Sequence, residues 1–418
     1  DVPEGVAVAA NGAAFSTEKF GVMPTLTKLL YDGRSFAKKE SGRYKKEAAE
    51  FLKTTGLRTP EEKAEYSRMK QLSMSLNIKQ NALKVLLNSL FGASGNVGFR
   101  YYDLRIAHGI TATGQMIIRW AGNSLDDYFT KLTGKPAVVY QDTDSIYVTF
   151  KNFVDKFIKP GEKSEEEICS FLDTVAQKKI EPFLENVFEE ISSKMGCSSN
   201  YIHMKREAIA RSAVWFAKKR YVLYVMDMEG FRYETPELKL LGVDAVKSST
   251  PQLVRDKILA IYYATMAGQK SKLESLIDAV HTDFMNAPVQ DISFPRGVNN
   301  LAKYENPVTI YKKGDGVTTP IHVRAALLYN HCLKKYGCDI QKYPPITSGQ
   351  KMKFCYLKEP NTLRENVIGF ENELPVEFGL HKYVNRELQY EKAFISNVQE
   401  LLDGVGWSDV LETTGSIF

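Results

Sequence analysis

Cysteine is scarce: five in 418 residues, Cys169, Cys197, Cys332, Cys338 and Cys355, an odd number at irregular spacing. That excludes a disulfide framework and points to free thiols in a reducing compartment. His331, Cys332 and Cys338 have the residue types of a metal site, but no second pair closes a tetrahedron. They read as incidental residues on a surface helix and turn. No run approaches the ~18 consecutive apolar residues of a membrane span. No basic segment followed by an apolar stretch marks secretion. Asp1 rather than Met stands first, which fits a processed chain, a split protein or a fragment. Disorder is not indicated either, with 44% hydrophobic and 25% charged residues. No repeat or low-complexity tract appears. At ~100–200 residues per domain the length allows roughly two to four domains.

Excess charge is small overall, +5, but uneven. Residues 205–221 carry six basic side chains against one acidic, and residues 34–70 carry eleven against six. Local basic patches on a nearly balanced chain point to a specific polyanion surface.

Residues 1–21 are Gly- and Ala-rich and weakly patterned. Pro24 and Thr25 open a predicted long helix that carries Arg34 and Lys38. The stretch 54–60, with Gly56 and Pro60, breaks it. A second predicted helix covers about 61–90, so two long charged helices would form an antiparallel hairpin. Gly92–Gly98 ends the second, and a third runs from about Leu104 to Leu132. Residues 137–140 and 145–150 are β-prone on either side of Gln141-Asp142-Thr143-Asp144, a hairpin with an acidic turn. Residues 165–193 form an amphipathic helix, 201–209 and 220–227 strands, and 253–278 a helix.

Asp142 and Asp144 are two residues apart, and on extended chain such side chains point the same way. Paired carboxylates on an apolar hairpin suit a hard cation such as Mg²⁺. Two such ions would serve in-line phosphoryl displacement. Asp is equally a common turn residue that bonds its own backbone.

Gln80, Lys84 and Asn88 recur every fourth residue, a polar stripe beside a face of Leu83, Leu86, Leu87 and Leu90. Phe91 adjoins the stripe. Arg34 and Lys38, also four apart, share a helix face. Arg offers a planar fork and Lys a point charge, both suited to phosphate. Lys218-Lys219-Arg220-Tyr221 is a basic run, and Lys239 and Lys247 follow. Such residues contact phosphates without reading sequence. Ser248-Ser249-Thr250-Pro251 also has the form of a helix N-cap with Pro at the first turn.

Several of these segments resemble one family. Tyr140-Gln141-Asp142-Thr143-Asp144-Ser145 is similar to the Y-x-D-T-D-S signature of B-family DNA polymerases. Lys84 through Gly92 resembles K-x-x-x-N-S-x-Y-G, with Phe91 where the family has Tyr. Lys218–Tyr221 looks like the K-K-R-Y element, and the segments Asn11–Arg34, Lys239–Gly242 and Lys247–Pro251 resemble the fingers and thumb of the tailed-phage group.

The resemblance implies an α+β fold: an antiparallel-sheet palm, a two-helix fingers hairpin and a mostly helical thumb. Its limits would be 1–21 for the lead-in, 22–95 for the fingers, 96–235 for the palm with the acidic hairpin at 137–150, and 236–418 for the thumb. It implies template-directed DNA synthesis with two Mg²⁺ ions, or Mn²⁺ in their place. Asp142 and Asp144 would hold metal, with Glu207 as a satellite carboxylate or a partner of a neighbouring Lys. Lys84 would be catalytic, and Arg34, Lys38, Lys84, Asn88 and Phe91 would bind the dNTP. Lys218, Lys219, Arg220, Tyr221, Lys239 and Lys247 would hold primer-template DNA. Ile417-Phe418 would dock on a sliding clamp, or simply be a frayed terminus. The compartment would be the host cytoplasm. Phe91 cannot donate the hydrogen bond that a phenol would.

The family's other metal aspartate, in a D-x-x-S-L-Y-P-like strand before the fingers, has no counterpart, and no exonuclease-type acidic motif is present. The expectation is therefore a chain inactive alone that needs an N-terminal palm segment. The rival readings are a non-catalytic DNA-binding piece and an RNA-templated polymerase.

Overall fold

The computed structural model describes residues 2–314 and 316–413, so Ile417 and Phe418 lie outside the described residues. The fold is α+β, with long helices and small antiparallel sheets. The described residues fall into two compact units: residues up to 209 with 228–232, and residues 210–227 with 233 onward.

The first unit opens with a hairpin, β1 (Val6–Val8) and β2 (Ala14–Ser16), which the weak patterning of this segment conceals. Helix α1 (Val22–Thr55) follows, then α2 (Pro60–Ser94). Gly56 at φ 66° ends α1 with its N–H on the Leu52 carbonyl. Thr59 starts α2 with a capping box: its hydroxyl accepts from the Glu62 N–H, and Glu62 accepts from the Thr59 N–H. Such a cap stabilises a helix by ~1 kcal/mol. The helices pair antiparallel. Ser41 lies against Ser73, with the Ser41 hydroxyl donating to the Ser73 carbonyl at 2.8 Å and Ser73 returning the bond at 3.0 Å. Gly33 lies against Leu83. α2 ends at Ser94 with Gly95 as its cap, within the Gly92–Gly98 stretch expected to break it.

Helix α3 (Leu104–Thr133) is capped by Asp103. The acidic hairpin follows, β3 (Val138–Asp142) and β4 (Ser145–Val148), then α4 (Lys151–Phe157). The predicted helix over 165–193 is α5 (Glu165–Val175) and α6 (Glu181–Lys194), joined by a π-helical segment at Ala176–Ile180. Leu125, Phe129, Phe188 and Ile191, each at most 1% exposed, form this unit's core.

The strand predicted at 201–209 is misplaced: 201–207 has no regular structure, and β5 spans Ala208–Ala217. β6 (Arg220–Met228) and β7 (Phe231–Leu241) complete a three-stranded sheet in the order β5-β6-β7. β7 carries Glu234, Pro236, Glu237 and Lys239, which broke its alternation in sequence.

In the second unit the predicted 253–278 helix is two, α7 (Gln252–Met266) and α8 (Leu273–Asn286), broken at Gly268. Pro251 itself occupies the cap position of α7 and no side chain caps it, so the Ser-Ser-Thr-Pro run is not the N-cap expected. Short α9 (Val289–Ile292), β8 (Phe294–Gly297), α10 (Leu301–Tyr304), β9 (Glu305–Asn306) and β10 (Ile310–Tyr311) lead to α11 (Ile321–Lys335). β11 (Lys351–Tyr356) pairs antiparallel with β8 and with β12 (Val367–Phe370). α12 (Arg386–Tyr390), α13 (Ser396–Val405) and α14 (Asp409–Thr413) close the chain's described part. Two apolar clusters fill this unit, one around α7, α8 and α13, the other around α11, β11 and β12. Cys332 belongs to the second at 0% exposure, so α11 is a core helix and not the surface helix expected. None of the five cysteines forms a disulfide among the described residues. No described helix is long and apolar enough to cross a membrane.

Candidate active site

The acidic hairpin is seated on α3 by backbone and by shape. Asp126 on α3 accepts the N–H groups of Ala137 and Val138 at 2.8 and 2.7 Å, fixing where β3 begins. One helical turn earlier, Gly122 is buried, and a Cβ there would collide with the side-chain amide of Gln141. The absent side chain is the room that Gln141 fills, next to Asp142. Tyr140 and Tyr147 face each other across the strands with ring centroids 5.4 Å apart, a cross-strand aromatic pair of the kind that fixes register.

Thr143 and Asp144 form a two-residue turn, with Asp142 opposite Ser145. Thr143 has φ 53°, a conformation that costs a β-branched residue ~1–3 kcal/mol. Three bonds hold it. The Asp144 N–H donates to the Asp142 carbonyl at 2.6 Å. The Ser145 hydroxyl donates to the same carbonyl at 3.1 Å. The Thr143 hydroxyl donates to Asp142 Oδ1 at 3.1 Å. Asp142 therefore ends a strand and is half-buried, while Asp144 lies in the turn and is exposed. The alternation of extended chain does not relate the two, because the left-handed Thr143 stands between them. Hard carboxylate oxygens on a braced turn fit a divalent ion's chemistry. Among the described residues no group of three or more His, Cys, Asp or Glu is arranged to hold a metal. Glu207 is exposed, and its carbonyl accepts from the Glu229 N–H at 2.6 Å.

On α2, Lys84, Asn88 and Phe91 are all exposed, and Leu83, Leu87 and Leu90 are half-buried. Leu86, expected on the packed face, is 53% exposed. On α1, Arg34 is half-buried with its Nε buried and lacking a hydrogen-bond partner among the described residues. Lys38 donates to the Glu229 carboxylate at 2.6 Å. Lys45, seven residues on, lies 5.0 Å from the Phe231 ring centroid. This face of α1 thus meets the tight turn at Glu229 and Gly230, both at positive φ. Glu229, the carboxylate beside Lys38, is not legible in the sequence, because nothing local links it to a lysine 191 residues away.

In the second unit Lys218 and Lys219 form the exposed turn between β5 and β6, Tyr221 is buried, and Arg220 and Lys247 both face Asp244. Lys239 is half-buried on β7.

Residues 62–191 match the model of DNA polymerase family B, a span that holds both the Lys84–Phe91 helix and the acidic hairpin. The chain belongs to DNA polymerase family B. It is 33% identical over 298 residues to the DNA-directed DNA polymerase of Escherichia phage RB69, covering 69% of this chain and 32% of that protein. With the DNA-directed DNA polymerase of Enterobacteria phage T4 it shares 28% over 345 residues, 79% of this chain and 37% of the other. With DNA polymerase 037L of Invertebrate iridescent virus 6 it shares 31% over 218 residues, 52% of this chain and 16% of the other. This family B chain is thus of the phage type and spans about a third of the length of the two phage relatives.

Proposed function

We propose that the chain forms the fingers (22–95), palm (96–235) and thumb (236–418) of a DNA-directed DNA polymerase, which adds dNMP units from dNTPs to a primer 3′-hydroxyl along a DNA template. One observation carries the reading: a single family match runs through both the exposed Lys84/Asn88 stripe and the braced Asp142–Asp144 turn.

The residues divide the work. Arg34, Lys38 and Lys84 supply cations for a triphosphate, and Lys84 stabilises the charge that develops on the departing pyrophosphate. Asn88, one turn from Lys84, offers an amide to the sugar. Phe91 packs near the new base pair without donating a hydrogen bond. Asp142 and Asp144 would hold divalent ions, Mg²⁺ or Mn²⁺, which when bound neutralise phosphate charge and ease deprotonation of the hydroxyl. Glu207 is an outlying carboxylate for the same centre. Lys218, Lys219, Lys239 and Lys247 meet the sugar-phosphate backbone. Catalysis of this kind is mostly positioning and electrostatics.

A chain spanning a third of its relatives also fits a second reading, a non-catalytic DNA-binding polymerase piece. Primer extension by the purified chain, with and without the upstream palm segment of a phage relative, separates them. Extension only with the added segment, abolished by Asp144→Asn, supports synthesis in two parts. Robust extension by the chain alone overturns the need for a complementary segment. Salt-sensitive DNA binding without extension in either case supports the second reading.

A further inference from the structure

The basic run at 218–221 reads in sequence as one set of DNA contacts, and the structure divides it. Lys218 and Lys219 make an exposed two-residue turn, with Lys219 at φ 61°. Arg220 turns to protein. Its two terminal nitrogens donate to the two carboxylate oxygens of Glu400 on α13, at 3.0 and 2.7 Å. Asp244 lies 3.7 Å from the same guanidinium, and Lys247 is 3.2 Å from Asp244. Tyr262, 2% exposed, has its hydroxyl pushed to higher pKa by burial, then by Asp244 and Glu400.

The turn is also fixed through its backbone. Gly242 sits at φ 64° against the Lys219 carbonyl, where a Cβ would overlap the oxygen and would lie 3.1 Å from Arg220 Cγ. Two segments that look independent in sequence, 218–221 and 239–242, are thus one packed feature.

A guanidinium held fork-to-fork by one carboxylate has its strongest donors occupied. Asp244 is a second carboxylate nearby, so a phosphate would have to compete with two anions for the Arg220 guanidinium. We propose that Arg220 does not contact DNA, and that Glu400 and Gly242 are positioning residues: through Arg220 and the Lys219 backbone they hold the Lys218–Lys219 turn in the conformation that meets the primer's phosphates. This rests on the DNA-binding reading above. It gives α13, 180 residues downstream, a role in primer grip that no local motif announces.

The test is the affinity of the full chain for a labelled primer-template duplex over a range of salt concentrations. The slope of log affinity against log salt changes by ~0.9 for each phosphate that the protein ceases to neutralise. Lys218→Ala and Lys219→Ala should each flatten it by about that much. Arg220→Gln and Glu400→Gln should each weaken binding roughly three- to tenfold at unchanged slope. The double variant should be no weaker than the worse single, because both act through one pair. Glu400→Asp should restore part of the loss. Arg220→Lys keeps the charge and loses the fork, so it should bind as weakly as Arg220→Gln while remaining folded by circular dichroism.

The opposite pattern overturns the proposal. If Arg220 grips a phosphate, Arg220→Gln flattens the slope, Arg220→Lys binds nearly as wild type, and Glu400→Gln tightens binding by removing a competing carboxylate. If Lys218→Ala and Lys219→Ala leave the slope unchanged, the DNA-binding reading of this turn itself falls, and the positioning role with it.

Discussion

Lys38 of α1 and Glu229 of the β6–β7 turn form an ion pair at 2.6 Å, each side chain about half exposed at 49% and 48%. A lysine meant for a triphosphate must exchange this carboxylate for phosphate oxygens. Exposed pairs of this kind hold weakly, so the exchange is easy but not free. Replacing Glu229 by Gln should therefore raise dNTP affinity by a factor of roughly two to five. Lys38→Ala should lower it, and in the Lys38→Ala background Glu229→Gln should have no further effect. The KM for dNTP in primer extension with the complementing palm segment, or Kd by nucleotide titration, measures both.

Gly242 has no room for a side chain, since its neighbour is the carbonyl of Lys219, and its φ of 64° disfavours any residue but glycine. Gly242→Ala should destabilise the second unit by ~2–4 kcal/mol, read as a lower urea midpoint. Gly268, also at positive φ but with open space where a Cβ would go, should cost less as Ala, ~1 kcal/mol.

The cysteines give a chemical check. Burial raises Cys332 to about 11 and Cys355 to about 12. Thiolate, the reactive form, is therefore scarce at both near neutral pH. Cys197 is exposed, though burial of its thiol raises it as well. At pH 7.5 a disulfide reagent should label Cys197 slowly and leave Cys332 and Cys355 unlabelled. Labelling should quicken as pH rises, because the thiolate fraction grows toward each raised pKa. All five thiols should titrate in denaturant.

Lys84→Ala should lower the rate of nucleotide addition by roughly two orders of magnitude, as expected when one charge-stabilising donor is removed. Asn88→Ala should act mainly on the KM for dNTP. Restoring a phenol with Phe91→Tyr should leave the rate within about threefold, because the ring already packs and only a hydrogen bond is added.

Much of the fold is legible locally. The two long helices announce themselves through the break at Gly56 and Pro60, and the hairpin through β-prone runs on either side of a polar turn. The acidic turn is legible as a motif, but not its geometry: only the folded chain reveals that Thr143 is left-handed and that Asp142 and Asp144 differ in burial. β7 is hidden because Pro236 and several charges interrupt its period. The pairs Lys38–Glu229 and Arg220–Glu400 join residues 191 and 180 apart, and no pattern of local spacing carries such information. Gly122 gives no signal either, since its meaning depends on Gln141 arriving from another element.

The most direct test is single-nucleotide primer extension with this chain, a phage palm segment supplied in trans, Mg²⁺, dNTPs and a DNA template, comparing wild type with Asp144→Asn. Wild type should show template-dependent addition and the variant at least a thousandfold loss, on the order of losses seen when a group central to the chemistry is removed. Equal extension by both proteins would contradict it, because the turn at Thr143 would then have no part in nucleotidyl transfer.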